Sequence, residues 1–160
     1  MKHRILAVSP QPCDADLFGR ATSMNGYEVE FVPSGEVALR RIAEAPKFDC
    51  IVTEYSLPGM DGIELVKHVR KQDADIGVVI VTGHFDPLCL EEMCDGLGVW
   101  AVVPKMDDPE LIASKIASAC DLAGLGHVRR SELLGDLTKS IMDLRRVSAS
   151  DHAAHLSRVE

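Results

Sequence analysis

Residues Asp49 to Gly62 read Asp-Cys-Ile-Val-Thr-Glu-Tyr-Ser-Leu-Pro-Gly-Met-Asp-Gly. The apolar run Cys50-Ile51-Val52-Thr53 is compatible with a buried strand, and it places one acid, Glu54, at the strand's end. Pro58 and Gly59 then turn the chain, and Asp61 is suited to cap a helix carrying Ile63, Leu65, Val66 and Val69. A carboxylate at the carboxyl end of a buried parallel strand sits where open α/β sheets keep their ligand sites.

Upstream, Ile5 to Val8 is an apolar run that stops at Ser9-Pro10-Gln11-Pro12, where two prolines argue against strand and helix alike. Asp14 is expected to cap a helix reaching Met24, with Leu17, Ala21 and Met24 at helical spacing and Asn25-Gly26 as its stop. Tyr27 to Val32 alternates Val29 and Phe31 against Glu28 and Glu30, a strand with one wetter face. A helix carrying Val37, Ala38, Ile42 and Ala45 follows, and Pro46 ends it.

Downstream, Ile76 to Thr82 is apolar throughout, as a central parallel strand should be, and Gly83 closes it. His84 to Asp95 gives a poor helical stripe and predicts a short or mobile helix. Val99 to Val103 is a fifth strand, followed by the loop Pro104-Lys105-Met106. Asp107-Asp108-Pro109 opens an amphipathic helix whose Leu111, Ile112, Ile116, Ala119 and Ala123 are expected to face inward, with a break at Gly124 or Gly126.

Five strand-then-helix units imply a doubly wound α/β domain, residues 1–123, because parallel strands need right-handed crossovers. Residues 124–160 differ in character. From His127 onward the chain holds six basic and five acidic residues, against eleven and twenty before it. Leu134, Leu137, Ile141 and Leu144 form a short apolar stripe on an added C-terminal helix that ends in a polar, fraying tail.

The 160 residues are 46% apolar, enough for a sizeable core, and the net charge of -8 argues against a phosphate-backbone binder. No nucleic-acid and no membrane partner is expected: no segment reads as a signal sequence or membrane span, so the cytoplasm is the expected compartment. Cys13, Cys50, Cys89, Cys94 and Cys120 are odd in number and lack paired spacing, which supports neither a disulfide framework nor a zinc site. A lone loop histidine, His84, carries no metal or sensor assignment by itself.

Leu57-Pro58-Gly59-Met60-Asp61-Gly62, Thr82-Gly83 after the fourth strand and Lys105 after the fifth together resemble the receiver domains of two-component response regulators, in order and spacing, over Lys2 to Ala123. The resemblance implies a flavodoxin-like strand order 2-1-3-4-5. It also implies a phosphoacceptor acid, an acidic pair that holds magnesium, and a hydroxyl and a lysine that contact the phosphoryl group. The matching positions are Glu54, then Ser9 with Pro10, then Thr82 and Lys105; Val102 stands at the switch position usually held by an aromatic. Trp100, two residues earlier, is expected on the same strand face.

The departures decide the expected chemistry. Ser9 offers a neutral hydroxyl and Pro10 no side-chain ligand, so Glu54 is expected to be the pocket's one acid and Mg²⁺ binding to be weak or absent. Phosphoryl transfer depends on that metal and on in-line geometry that the longer Glu54 does not share with an aspartate. The expected protein is a non-enzymatic pseudo-receiver, cofactor-free, acting through a partner signalling protein or a homodimer built on the Leu134–Leu144 stripe. The alternative is a working phosphoacceptor served by a histidine kinase. Two roles for Glu54 stand open: a fixed surrogate for phosphoaspartate, or a relic that pairs with Lys105. Ser9 is expected to bond its own turn, and Asp14 to be a helix cap rather than a metal ligand.

Overall fold

The computed structural model describes residues 2–23, 25–44, 47–83, 86, 89, 92, 94–105, 108–121 and 123. The chain divides into one unit spanning Met1–His127 and a second spanning Val128–Glu160, and all described residues belong to the first. In order, the elements are β1 (Arg4–Val8), α1 (Pro12–Ser23), β2 (Glu28–Val32), α2 (Gly35–Glu44), β3 (Cys50–Glu54), α3 (Gly62–Gln72), β4 (Gly77–Thr82), β5 (Ala101–Pro104) and α4 (Pro109–Asp121). Most of His84 to Asp95, and the whole stripe Leu134, Leu137, Ile141 and Leu144, lie outside the described residues.

The strands form one parallel sheet in the order β2-β1-β3-β4-β5, as the resemblance implies. Side-chain alternation sorts the strands into two cores. Leu6, Val8, Ile51, Val78, Ile80 and Val102 face α2 and α3. Ile5, Ala7, Cys50, Val52, Val79, Val81 and Val103 face α1 and α4, whose Phe18, Ala21, Ile112, Ile116 and Ala119 complete that layer. Both faces of β3 and β4 are covered, which is why both strands are apolar almost throughout.

The turn from β3 to α3 behaves as its sequence dictates. Gly59 adopts φ +82, a left-handed conformation open to glycine, and Asp61 closes a capping box with Glu64. Gly62 donates to the Tyr55 carbonyl at 2.7 Å, and a Cβ there would lie 2.8 Å from the Glu54 carbonyl oxygen. Only glycine lets α3 start this close to the end of β3.

Four local expectations are corrected. α1 begins at Pro12, not at Asp14: proline at a first helical position loses an amide that has no helical partner anyway, and its fixed φ suits the helix. Phe31 is 46% exposed although it shares the Val29 face, because β2 is an edge strand and Phe31 stands beside the first turn of α1. Leu111 is 43% exposed; Ala113 and Cys120 join Ile112, Ile116 and Ala119 on the buried face of α4. Trp100 precedes β5, so strand alternation does not govern it, and it packs on the α1/α4 layer while Val102 packs on the other.

Candidate functional site

Alternation also gathers the site. Ser9 continues the face of Ile5 and Ala7, Glu54 that of Cys50 and Val52, and Lys105 that of Ala101 and Val103, so all three strand ends point toward α1 and α4. Asp14 joins them from α1, where it lies four residues before Phe18 and seven before Ala21 on the helix's buried face.

The contacts form a short chain of charges. Lys105 Nζ lies 2.7 Å from Asp14 Oδ2 and 2.5 Å from Glu54 Oε2. The Ser9 hydroxyl donates to the same Asp14 oxygen, and the Gln11 amide donates to Ser9 Oγ at 3.1 Å. Glu54 Oε1 accepts from the backbone amides of Tyr55 at 2.8 Å and Ser56 at 3.3 Å. Glu54 Oε2 meets Lys105 in a close charged contact. Asp14 is 4% exposed and Glu54 3%. Carboxylates so deep require a counter-charge, and Lys105 supplies it to both.

Burial is the largest single influence on Lys105 and acts to lower its pKa, but the bonds and charges of Asp14 and Glu54 outweigh it and hold the pKa above the ordinary value. The backbone aims the side chain: the Lys105 amide donates to the Thr82 carbonyl at 2.9 Å, and Pro104 pairs with Thr82 in the sheet.

The sequence-derived positions are thus partly assembled. Glu54, Ser9 and Lys105 meet, and Thr82, buried at the end of β4, anchors Lys105 by its backbone. Ser9 bonds its own turn as expected, and also bonds Asp14. Pro10 lines a shallow groove of about 250 Å³ with Gln11, Pro12, Phe31 and Pro33. Val102 is buried in the α2/α3 layer. His84 lies outside the described residues.

Two expectations about the pocket's acids are overturned. Asp14 is not a cap, and Glu54 is not the pocket's one acid. Asp14 supplies the second carboxylate from the first turn of α1, a place that a search of the strand ends does not reach. Its sequence signal was an acid at i of an i, i+4, i+7 buried stripe.

A parallel sheet in this order, with a carboxylate ending its central strand and a lysine following the last one, defines a receiver-type α/β module. Residues 5–117 match the response regulator receiver domain family, and the chain belongs to that family. It is 35% identical over 96 residues to the transcriptional regulatory protein FixJ of Azorhizobium caulinodans, covering 59% of this chain and 44% of that protein. It is 32% identical over 82 residues to the response regulator MprA of Mycolicibacterium vanbaalenii, covering 51% and 35%. Among solved structures, a CheY-like receiver domain protein of Methanospirillum hungatei JF-1 superposes with a TM-score of 0.68 at 26% identity, over 76% of this chain and 95% of that one. For the chemotaxis response regulator CheY4 of Vibrio cholerae the values are 0.66, 26%, 74% and 99%. The matched stretch spans less than half of these two curated relatives and nearly all of the two receiver structures.

The family's phosphoryl chemistry uses Mg²⁺, which needs near-octahedral oxygen ligation anchored by one or two open carboxylates. Here the Lys105 ammonium stands against an oxygen of each acid, and backbone amides take the other Glu54 oxygen. Ser9 and Pro10 add no carboxylate. Among the described residues no cluster of three or more His, Cys, Asp or Glu could hold a metal ion. The arrangement does not fit the ion. No helix among the described residues is long and apolar enough to cross a membrane.

Proposed function

We propose that this receiver domain is a signalling module that works without covalent phosphate, through contact with a partner signalling protein or with a second copy of itself. The observation that carries the proposal is the buried Glu54–Lys105 contact: the lysine available to a phosphoryl group is already neutralised by protein carboxylates. Glu54 curls back onto the Tyr55 and Ser56 amides and reaches Lys105 with its other oxygen, which favours the relic role over a phosphate surrogate displaced outward. Regulation then comes from what binds the domain, not from a group transferred to Glu54.

The test is direct. Incubated with Mg²⁺ and acetyl phosphate, the full chain should keep its unmodified mass, and beryllofluoride should leave the amide spectrum at Glu54 and Thr82 unchanged. A phosphoryl adduct on Glu54 would establish the competing role, a phosphoacceptor served by a histidine kinase.

The self-association arm rests on the stripe Leu134, Leu137, Ile141 and Leu144, with the β5 side of the domain as a second contact. Spanning less than two heptads, the stripe is too short to hold a coiled coil alone, so it needs a partner surface. Light scattering should give a dimer for the full chain and a monomer for a chain ending at Ala123. An oligomer that survives the truncation removes this arm.

A further inference from the structure

Asp14 is an acid on a helix face where the pattern calls for an apolar side chain, since Phe18 and Ala21 on the same face are fully buried. A carboxylate is tolerated there only with partners, and the Ser9 hydroxyl and the Lys105 ammonium at 2.7 Å both meet its Oδ2. Position 14 is 91 residues from Lys105 in sequence, so the bond ties α1 to the end of β5. The two acids hold Lys105 differently. Asp14 meets Lys105 with the same oxygen that accepts from the Ser9 hydroxyl, whereas Glu54 meets it with one oxygen and keeps its other oxygen on backbone amides.

We infer that Asp14 is the specificity-determining residue of this site, and that it closes the pocket to oxyanions by neutralising Lys105 from within the chain. This deepens the phosphate-independent role proposed above and rests on it for its biological meaning. Its physical basis is separate. Among the described residues the pocket holds two carboxylates against one ammonium, so an incoming phosphate or sulfate meets net negative charge and a lysine with no unshared charge to offer. Without Asp14 the balance becomes neutral, and Lys105, held by Glu54 alone, has donors left to turn to an anion. The absence of acids at Ser9 and Pro10 and the presence of an acid at position 14 therefore act together.

Titrating the full-length chain with inorganic phosphate and with sulfate, without magnesium and followed at the Lys105 amide by NMR, tests this. Asp14→Asn keeps the hydrogen-bonding shape and removes the charge; it should bind either anion about tenfold or more tightly than the parent chain, as for the loss of one adjacent neutralising charge. The Lys105 ammonium titration should also move to lower pH in Asp14→Asn, because burial then acts against one carboxylate instead of two. A residue that merely supports the fold would lower the melting temperature without moving that titration. Glu54→Gln, which keeps the Asp14 bond, should gain clearly less. A folded Asp14→Asn that binds phosphate no better than the parent, or an equal gain in Glu54→Gln, overturns the inference. Should Asp14→Asn fail to fold, Glu54→Gln decides alone: strong phosphate binding there overturns it, and continued exclusion supports it. An acetyl phosphate adduct on the parent chain would sink the phosphate-independent role, yet the ratio of anion affinities between Asp14→Asn and the parent would still read out Asp14.

Discussion

Replacing Lys105 with Met is expected to cost about 3–5 kcal/mol of folding stability at neutral pH, the range for removing one partner of a buried charge pair. The reason is the number of groups stranded. Asp14 and Glu54, both almost fully buried, share that one ammonium, and Met offers neither charge nor donor while nearly matching the lysine's volume. Most of the loss is then the uncompensated carboxylates rather than lost packing. Urea unfolding checks it: the midpoint should fall with the slope unchanged, since the surface exposed on unfolding is the same. A loss below about 1 kcal/mol would place Lys105 among ordinary surface ion pairs and contradict its burial. Adding Asp14→Val to Lys105→Met should recover a large part of the loss, because a core-facing position is returned to an apolar side chain.

The pH dependence has a definite sign. Folding raises the Lys105 pKa above its ordinary 10.5, so the protonated lysine stabilises the fold fully below that value, and its contribution fades as pH rises through the folded pKa. The lysine's share of the stability gap between the parent and Lys105→Met should therefore be complete below about pH 10.5 and fade above it. Tyr27 and Tyr55, whose pKa values burial also raises, titrate in the same alkaline range, but both proteins contain them and their effect cancels in the difference.

What could be read from the sequence followed from how local each signal was. The β3 to α3 stretch carries a buried run, a turn, a capping residue and a close-approach glycine within fourteen residues, and each of these governs backbone conformation directly. Glu54, Ser9 and Lys105 were legible because they sit at or just past strand ends, where the receiver resemblance marks its landmark positions. Asp14 was not, because its role depends on a partner 91 residues away, and at short range a carboxylate near a helix start looks like a cap. Pro12 compounded the error, since a proline next to a turn is equally at home as a helix's first residue. Phe31 and Leu111 failed differently. Periodicity gives the side of an element that faces the sheet, but not how far the opposing layer extends over it.

Arg70→Met should cost about 2–4 kcal/mol, from losing several charge-assisted hydrogen bonds and leaving their acceptors in need of partners. Its guanidinium, near the end of α3, donates to the carbonyls of Leu97 at 2.8 Å, Ile76 at 2.8 Å and Gly98 at 2.9 Å. Those acceptors lie at the entrances to the site's supporting strands: Ile76 just before β4, and Leu97 and Gly98 in the turn that leads to β5. β5 is four residues long and sits at the edge of the sheet, so its position depends on how firmly that approach is held. Arg70→Met therefore bears on Lys105 from the opposite end of the strand, and two amides report it. Trp100 N–H, bonded to the Val78 carbonyl, and Lys105 N–H, bonded to the Thr82 carbonyl, should exchange with solvent faster in Arg70→Met, whereas the Gly62 amide, bonded to Tyr55, should change less. Arg70→Lys should rescue little, because one ammonium on a flexible stem does not reproduce a planar fork that reaches three carbonyls. Full rescue by Lys, or unchanged exchange at Trp100 and Lys105, would show that β5 is held by its pairing with β4 and not by the α3 arginine.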